Sequence, residues 1–392
     1  MTWINFLHLY QPANADPYVV EEATEASYKR IVKLLEDNSD LRFTLNITGC
    51  LILRWQELGY DELIGRIKKL VHKGQLELTG SVAYHCLTPL VPLEETRSQI
   101  KENTRILRES FGDGVALEGF FMPEMAYSKE VAQLVREEGF SWLILDEIAY
   151  NEDLEKTDYS GVYEDKSSGL KVILRSRSSS NTYVPELVQS RLRSSKTSTS
   201  TLITATDGEL YGLRHEDPQG VLEKVVSEPG LSTQTVSDHI ASLESIDRVI
   251  LNPCNWESSP EELAAGEPYA SWLSQDNPLQ KDLWDLAYMV YDAVETNHQD
   301  ENYTWARWHL VRGLASCTFW WASAKDFSYI YGPHAWCPDE VERGVNELVR
   351  AIRSLEDPST RSLKIKAEKQ YIKIKNYLWH RHWEYYWKPD KT

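Results

Sequence analysis

Hydrophobic and polar positions alternate along the first two thirds of the chain with a period that keeps switching. Arg42–Thr48, RFTLNIT, has a period of two, as a half-buried strand does. YDELIGRIKKLVHKG follows, with Leu63, Ile64, Ile67, Leu70 and Val71 on one helical face and Gly74 as a C-cap. The same switch recurs. INFLH, QLELTG, Leu117–Met122, WLILD, KVILR, TLITATD and Arg248–Asn252 read as strands, and Leu93–Ser110 and Ser128–Glu138 read as helices, the second N-capped by Ser128. Roughly eight strands with helical crossovers predict a mostly parallel sheet covered by helices, either an open doubly wound sheet or a closed barrel. No glycine-rich phosphate fingerprint follows the first strand, which weakens the dinucleotide-binding version.

From about Leu279 the strand signals stop. Asp282–Thr296, Tyr303–Ala324, Pro338–Leu355 and Ser359–Tyr385 read as helices. The expected organisation is therefore an α/β domain over residues 1–275 and a helical bundle over 276–392 packed on it. Ser176–Ser200 is rich in Ser and Thr and locally basic, and reads as a long loop on the side of the strand ends.

Composition narrows the class. The chain has 392 residues, 42% hydrophobic and 26% charged, with a formal charge of −18. The acidic balance, with no basic stripe, argues against nucleic acid as a partner. No apolar run approaches the roughly 20 residues of a membrane helix. The basic, aromatic KQYIKIKNYLWHRHW reads as a solvated, domain-packed helix rather than a membrane-binding one. The N-terminus lacks a basic region before its apolar run and reads as a mature first strand. The five cysteines are scattered without zinc-site spacing, as in a reduced, cytoplasmic protein. Of 14 tryptophans only Trp3, Trp55 and Trp142 precede residue 250. Most of the rest are expected in the core, and a minority as flat platforms for sugar C–H faces.

The strand ends carry the chemistry. The first strand ends in His8 with Gln11 beyond it, and QLELTG carries Glu77. EGFFMPE delivers Glu124 after Pro123, which has no N–H to extend a ladder. WLILD ends in Asp146, KVILR in Arg175, TLITATDGE in Asp207 and Glu209, and RVILN in Asn252 with Trp256 near. Parallel strands bring such ends to one face, and acids gathered there are costly unless used. Two carboxylates with different roles suit glycoside hydrolysis, one attacking the anomeric carbon and one handling the proton; Glu124 and Asp207 are the natural pair. Spacing alone does not say which is which.

The chain resembles the family-57 glycoside hydrolases, a group of α-amylases, glucanotransferases, branching enzymes and α-galactosidases. HLYQP (His8–Pro12) is similar to the family's N-terminal His-x-His-Gln-Pro motif, GQLELTG to its second motif, GFFMPEMAYS to the nucleophile motif and TDGELYG to the acid/base motif. The resemblance implies Glu124 as nucleophile and Asp207 as general acid/base in a retaining mechanism, with carboxyls about 5–5.5 Å apart. It implies His8, Gln11, Glu77 and Glu209 as sugar contacts, no metal or other cofactor, and an incomplete (β/α)7 barrel followed by helices. Two positions depart from the pattern. Tyr10 stands where the second histidine is usual, and YGLRH follows the acid/base where many members have Phe-Gly-His.

Further candidates are His85, in YHCLTPLVP, as a hydroxyl contact or a structural histidine, and Trp256 and Trp320 as cleft aromatics. Asp146 is a sugar contact or a loop anchor. Arg175 and Arg177 bind an anionic sugar or, more simply, pair with a site acid. The expected function is a glycosidase or transglycosylase taking an α-linked glucan or related oligosaccharide. A metal-dependent deacetylase or mannosidase, drawing on His8, His85 and Asp207, is one alternative, and a non-catalytic glycan-binding protein the other.

Overall fold

The computed structural model describes residues 1–150, 152, 154, 162–194, 200–325 and 335–386. These form two compact units, one of residues 1–83 and 88–256, the other of residues 84–87 and 257–392.

The first unit is α/β. Its strands are β1 (Thr2–Leu9), β2 (Phe43–Ile47), β3 (Leu76–Thr79), β4 (Gly119–Phe120), β5 (Trp142–Asp146), β6 (Val162–Asp165), β7 (Lys171–Arg175), β8 (Thr201–Asp207), β9 (Ser232–Thr233) and β10 (Asp247–Val249). One sheet runs β3-β2-β1-β8, with β9 also on β1, and the other runs β10-β6-β7-β5-β4. Every pairing is parallel except β6 with β7. Backbone bonds also run between the sheets. Gly80 N–H donates to Gly119 O and Phe121 N–H to Gly80 O, both at 2.9 Å, and Ser176 N–H donates to Ile203 O at 3.3 Å.

Register decides which side chains share a layer, because successive residues of a strand point to opposite faces. His8 is opposite both Asn46 and Asp207, and Asn46 is opposite Thr79. One layer nearer the N-terminal ends, Phe6 is opposite Thr44 and Ala205, and Thr44 is opposite Glu77. Below these, Ile4, Trp142, Ile144, Ile173, Ile203, Val236 and Ile240 belong to one buried apolar cluster. The strands thus rise from an oily floor to a polar rim. β4 passes so near β5 that a Cβ on Gly119 would lie 2.1 Å from the Trp142 ring, so only glycine fits there.

Three sequence expectations change. Ser176–Ser194 is not a loop: helices span Arg177–Ser180 and Val184–Ser194. The Ser176 side chain accepts from Ser179 N–H as an N-cap, and Val184 and Val188 are buried, enough to hold a serine-rich segment helical. Residues 195–199 of that expected loop lie outside the described residues. The strand expected over Arg248–Asn252 is only β10, on a sheet edge, and Ile250 is 70% exposed. The helix expected over Tyr303–Ala324 breaks into Tyr303–Gly313 and Ser316–Trp320, where Ala315 is extended and Ser316 N–H donates to the carbonyl of His85. The second unit is otherwise helical, with long helices at Pro278–Thr296, Pro338–Ser354 and Arg361–Arg381.

Asp146 ties the far strands together. Its buried carboxylate accepts from Arg175 Nε at 2.8 Å and from Arg177 at 2.6 Å, and Arg175 also donates to Ala205 O on β8. Asp146→Ala should destabilise the protein by about 3–5 kcal/mol, because it removes the buried carboxylate that Arg175 and Arg177 share. The urea midpoint reads this, and a shift below about 1 kcal/mol would mean that water reaches the arginines.

Candidate active site

His8 occupies the centre of the rim layer and is almost fully buried. Its Nδ1 lies 2.8 Å from Asn46 Oδ1. Asn46 Nδ2 is turned the other way, toward Thr79 Oγ1 and Gly80 O, so the oxygen faces the imidazole and Nδ1 carries the hydrogen. That tautomer makes Nε2 the acceptor. Burial pushes the His8 pKa down to about 4, against the opposing pull of Asp207, so the ring is neutral near pH 7. The ring stacks on Phe121 at 4.5 Å and lies 5.9 Å from the near-parallel ring of Tyr10.

Phe121 leads into the Glu124 turn. Glu124 and Met125 take left-handed conformations, φ 61° and 50°, unusual for residues with side chains. Neighbouring chain holds them there. Trp256 N–H donates to Glu124 O at 3.0 Å, and Tyr127 N–H donates to Cys254 O at 2.8 Å. An over-determined strained residue of this kind is typical of sites where a side chain must be aimed. The Trp256 ring in turn lies edge-on to His8 at 6.4 Å and under the Arg175 guanidinium at 5.1 Å.

Across His8 is the end of β8. Asp207 is half-buried, and its Oδ2 accepts from Arg214 at 2.6 Å. Glu209, only 2% exposed, directs Oε1 at the Tyr28 hydroxyl and at Gln11 Nε2, the latter at 2.8 Å. Burial first, and the charge of Asp207 second, push the Glu209 carboxyl up to about 7. Gly212 carries the chain back to Arg214 at φ 136°, where a Cβ would lie 2.2 Å from Ala26 O.

His8 thus meets Trp256 directly and stands opposite Asp207 in register, Trp256 N–H bonds the Glu124 carbonyl, and Gln11 bonds Glu209, two residues beyond Asp207. Glu77 is not among them. It lies a layer lower, where its Oε2 accepts from Thr44 Oγ1 at 2.7 Å and from Ser237 N–H at 3.3 Å, fastening the Val236–Ala241 helix. His85 and Trp320 belong to the second unit. His85 is buried against Ser316, 3.0 Å from its hydroxyl, and Trp320 Nε1 donates to Glu257 at 3.2 Å. Asn46, Tyr28, Phe121 and Arg214 contact His8, Glu209 or Asp207 and were passed over by the strand-end reading. Asn46 closes RFTLN and Arg214 stands in YGLRH, so both had a signal; Tyr28, on a helical turn, had none. Among the described residues, no three His, Cys, Asp or Glu side chains are grouped so as to hold a metal ion.

The model of glycosyl hydrolase family 57 matches residues 5–250, which contain every member of this cluster but Trp256. The chain belongs to that family. Curated relatives include an α-amylase of Pyrococcus horikoshii, 26% identical over 178 residues (44% of this chain, 28% of the relative), and a 4-α-glucanotransferase of Thermococcus litoralis, 26% identical over 150 residues (38% and 22%). These matches span about a quarter of the relatives' length. The crystal structure of a 4-α-glucanotransferase from Thermococcus litoralis superimposes with a TM-score of 0.72 at 18% identity, covering 91% of this chain and 60% of the other. A GH57-type branching enzyme from Pyrococcus horikoshii gives 0.71 at 14% identity, covering 95% and 94%. At such identities these structures establish the shared family-57 fold.

The raised Glu209 pKa has a measurable sign. Between about 4.5, the ordinary value, and about 7, the folded state holds a proton that the unfolded chain has lost, so stability falls as pH rises through that window. His8 works in the opposite sense between about 4 and 6.5, where the unfolded chain is the more protonated. Comparison with Glu209→Gln isolates the first effect. The stability of the wild type relative to the variant should fall by up to about 3 kcal/mol from pH 4.5 to 7, read from urea midpoints. A flat difference would mean a solvated carboxyl.

Proposed function

We propose that this chain is a retaining glycosidase or transglycosylase acting on an α-linked glucan or related oligosaccharide. One observation carries the reading: the strained Glu124 turn and the Asp207 strand end converge on the same buried imidazole, one through Phe121 and Trp256 and the other through strand register. The backbone bonds between the sheets support closure of β1, β2, β3, β4, β5, β7 and β8 into a (β/α)7 ring with the cluster at its C-terminal mouth. In this reading residues 1–275 are the catalytic domain and 276–392 its helical partner. None of the five cysteines is in a disulfide, which suits a reducing cytosol.

The chemistry follows from the two carboxyls. Glu124 attacks the anomeric carbon while Asp207, as the general acid, passes a proton to the departing glycosidic oxygen, leaving a glycosyl ester on Glu124. Asp207, now ionised, takes a proton from water or from a sugar hydroxyl, which attacks the same carbon and frees Glu124. Water gives hydrolysis and the sugar gives transfer. Neutral His8 accepts a substrate hydroxyl at Nε2, Gln11 and Glu209 hold the neighbouring hydroxyls, and Trp256 provides an apolar wall for the ring.

Glu124→Ala should lose activity on an aryl α-maltoside by about 10⁴-fold or more. Azide should restore turnover and release a glycosyl azide of inverted anomeric configuration. Wild-type activity in the variant would remove Glu124 from the reaction. Asp207→Asn should lose far more activity on maltoheptaose than on a 2,4-dinitrophenyl glycoside, whose leaving group needs no proton. Equal losses on both would count against Asp207 as the acid.

A further inference from the structure

Packing absorbs only part of the tryptophan excess in the last third of the chain. Trp272 and Trp284 are buried, whereas Trp305, on the Tyr303–Gly313 helix, is 55% exposed. Its ring is braced nonetheless. It stacks on Trp308 at 4.9 Å with 19° between the planes, and the Arg312 guanidinium lies over the Trp308 ring at 3.5 Å. His309 meets both indoles edge-on, at 5.6 and 4.8 Å. His309 is itself buried, its Nδ1 donating to Glu347 Oε2 at 2.6 Å on the Pro338–Ser354 helix. The result is a stack of indole, indole and guanidinium along one edge of the helix, with Trp305 outermost.

Single exposed apolar residues need no explanation. An exposed indole locked parallel to a second one, by a histidine anchored on another helix, is different, because it is preorganised for a flat apolar surface and loses little entropy when one arrives. We propose that the Trp305–Trp308 stack is a non-catalytic binding site for an α-glucan chain, one pyranose lying with its C–H face on Trp305. The surroundings fit a neutral polyol. Thr304, next to Trp305 in the chain, is exposed and offers an oxygen acceptor to hydroxyl groups, and a net charge of −18 repels polyanions. One stacked ring binds weakly, but a polymer returns many rings to the same indole, which suits retention on a long glucan. The proposal rests on the α-glucan reading above, and none of its residues belongs to the set assigned there to catalysis.

The test is affinity electrophoresis of the wild type, Trp305→Ala and Trp305→Phe in native gels with and without glycogen, alongside kcat/KM on a soluble aryl α-maltoside. The wild type should be retarded. Trp305→Ala should bind glycogen roughly 3- to 10-fold more weakly, with Trp305→Phe between them and kcat/KM unchanged. Equal retardation of the wild type and Trp305→Ala, or none for the wild type, overturns the site. So does a change in oligomeric state in Trp305→Ala with unaltered glycogen affinity, which would assign the indole to a contact between copies. Binding is read in the gel and turnover in the azide experiment, so failure of this site and failure of the catalytic reading are separate results.

Discussion

The register of β1 between β2 and β8 is the constraint on which the candidate site depends. Because His8 is opposite Asn46 on one side and Asp207 on the other, three polar side chains from distant parts of the chain share one layer. A slip of one residue would turn all of β1's inward residues outward, replacing Phe6 and His8 with Asn5 and Leu7. The apolar floor formed by Ile4, Ile203, Ile144 and Ile173 is what prevents it. Hydrophobic burial at one end of the strands thus sets the position of the chemistry at the other.

Asn46, Glu209 and Asp146 persist at that depth because each has more than one partner. Asn46 is shared between His8 and Thr79, Glu209 between Tyr28 and Gln11, and Asp146 between Arg175 and Arg177. Leaving any one of them unmatched would cost more than a typical hydrogen bond contributes. The same logic explains the Glu124 turn. Its left-handed backbone is unfavourable alone, and the bonds from Trp256 and between Tyr127 and Cys254 outweigh it by fastening the turn to a segment more than a hundred residues later.

Much of this was legible from pattern. The periods of two and 3.6 located β1, β2, β3, β5, β7 and β8, and the acids and histidine at their ends mark most of the cluster. β6 and β9 were not legible, being short strands that lack an apolar alternation of their own. The serine-rich stretch misled in the other direction, since composition is silent about a cap such as Ser176 and about the burial of Val184 and Val188. Glu77 misled because a motif records that a residue is present and not which layer it occupies; the register puts it beside Thr44, one layer from His8.

What the sequence alone determined is the class of the molecule and the identity of its chemical groups: a parallel α/β unit, a helical unit, and acids following apolar strands. These are local properties, set by the period of side chains along a few residues and by the turn chemistry of proline and glycine. Tertiary structure alone decided the protonation of His8, the burial of Glu209, the left-handed backbone of Glu124 and the pairing of Asp207 with Arg214. Each depends on distances between groups far apart in the chain and on the water excluded around them, and desolvation and Coulomb energy are functions of position in space rather than of order along the chain.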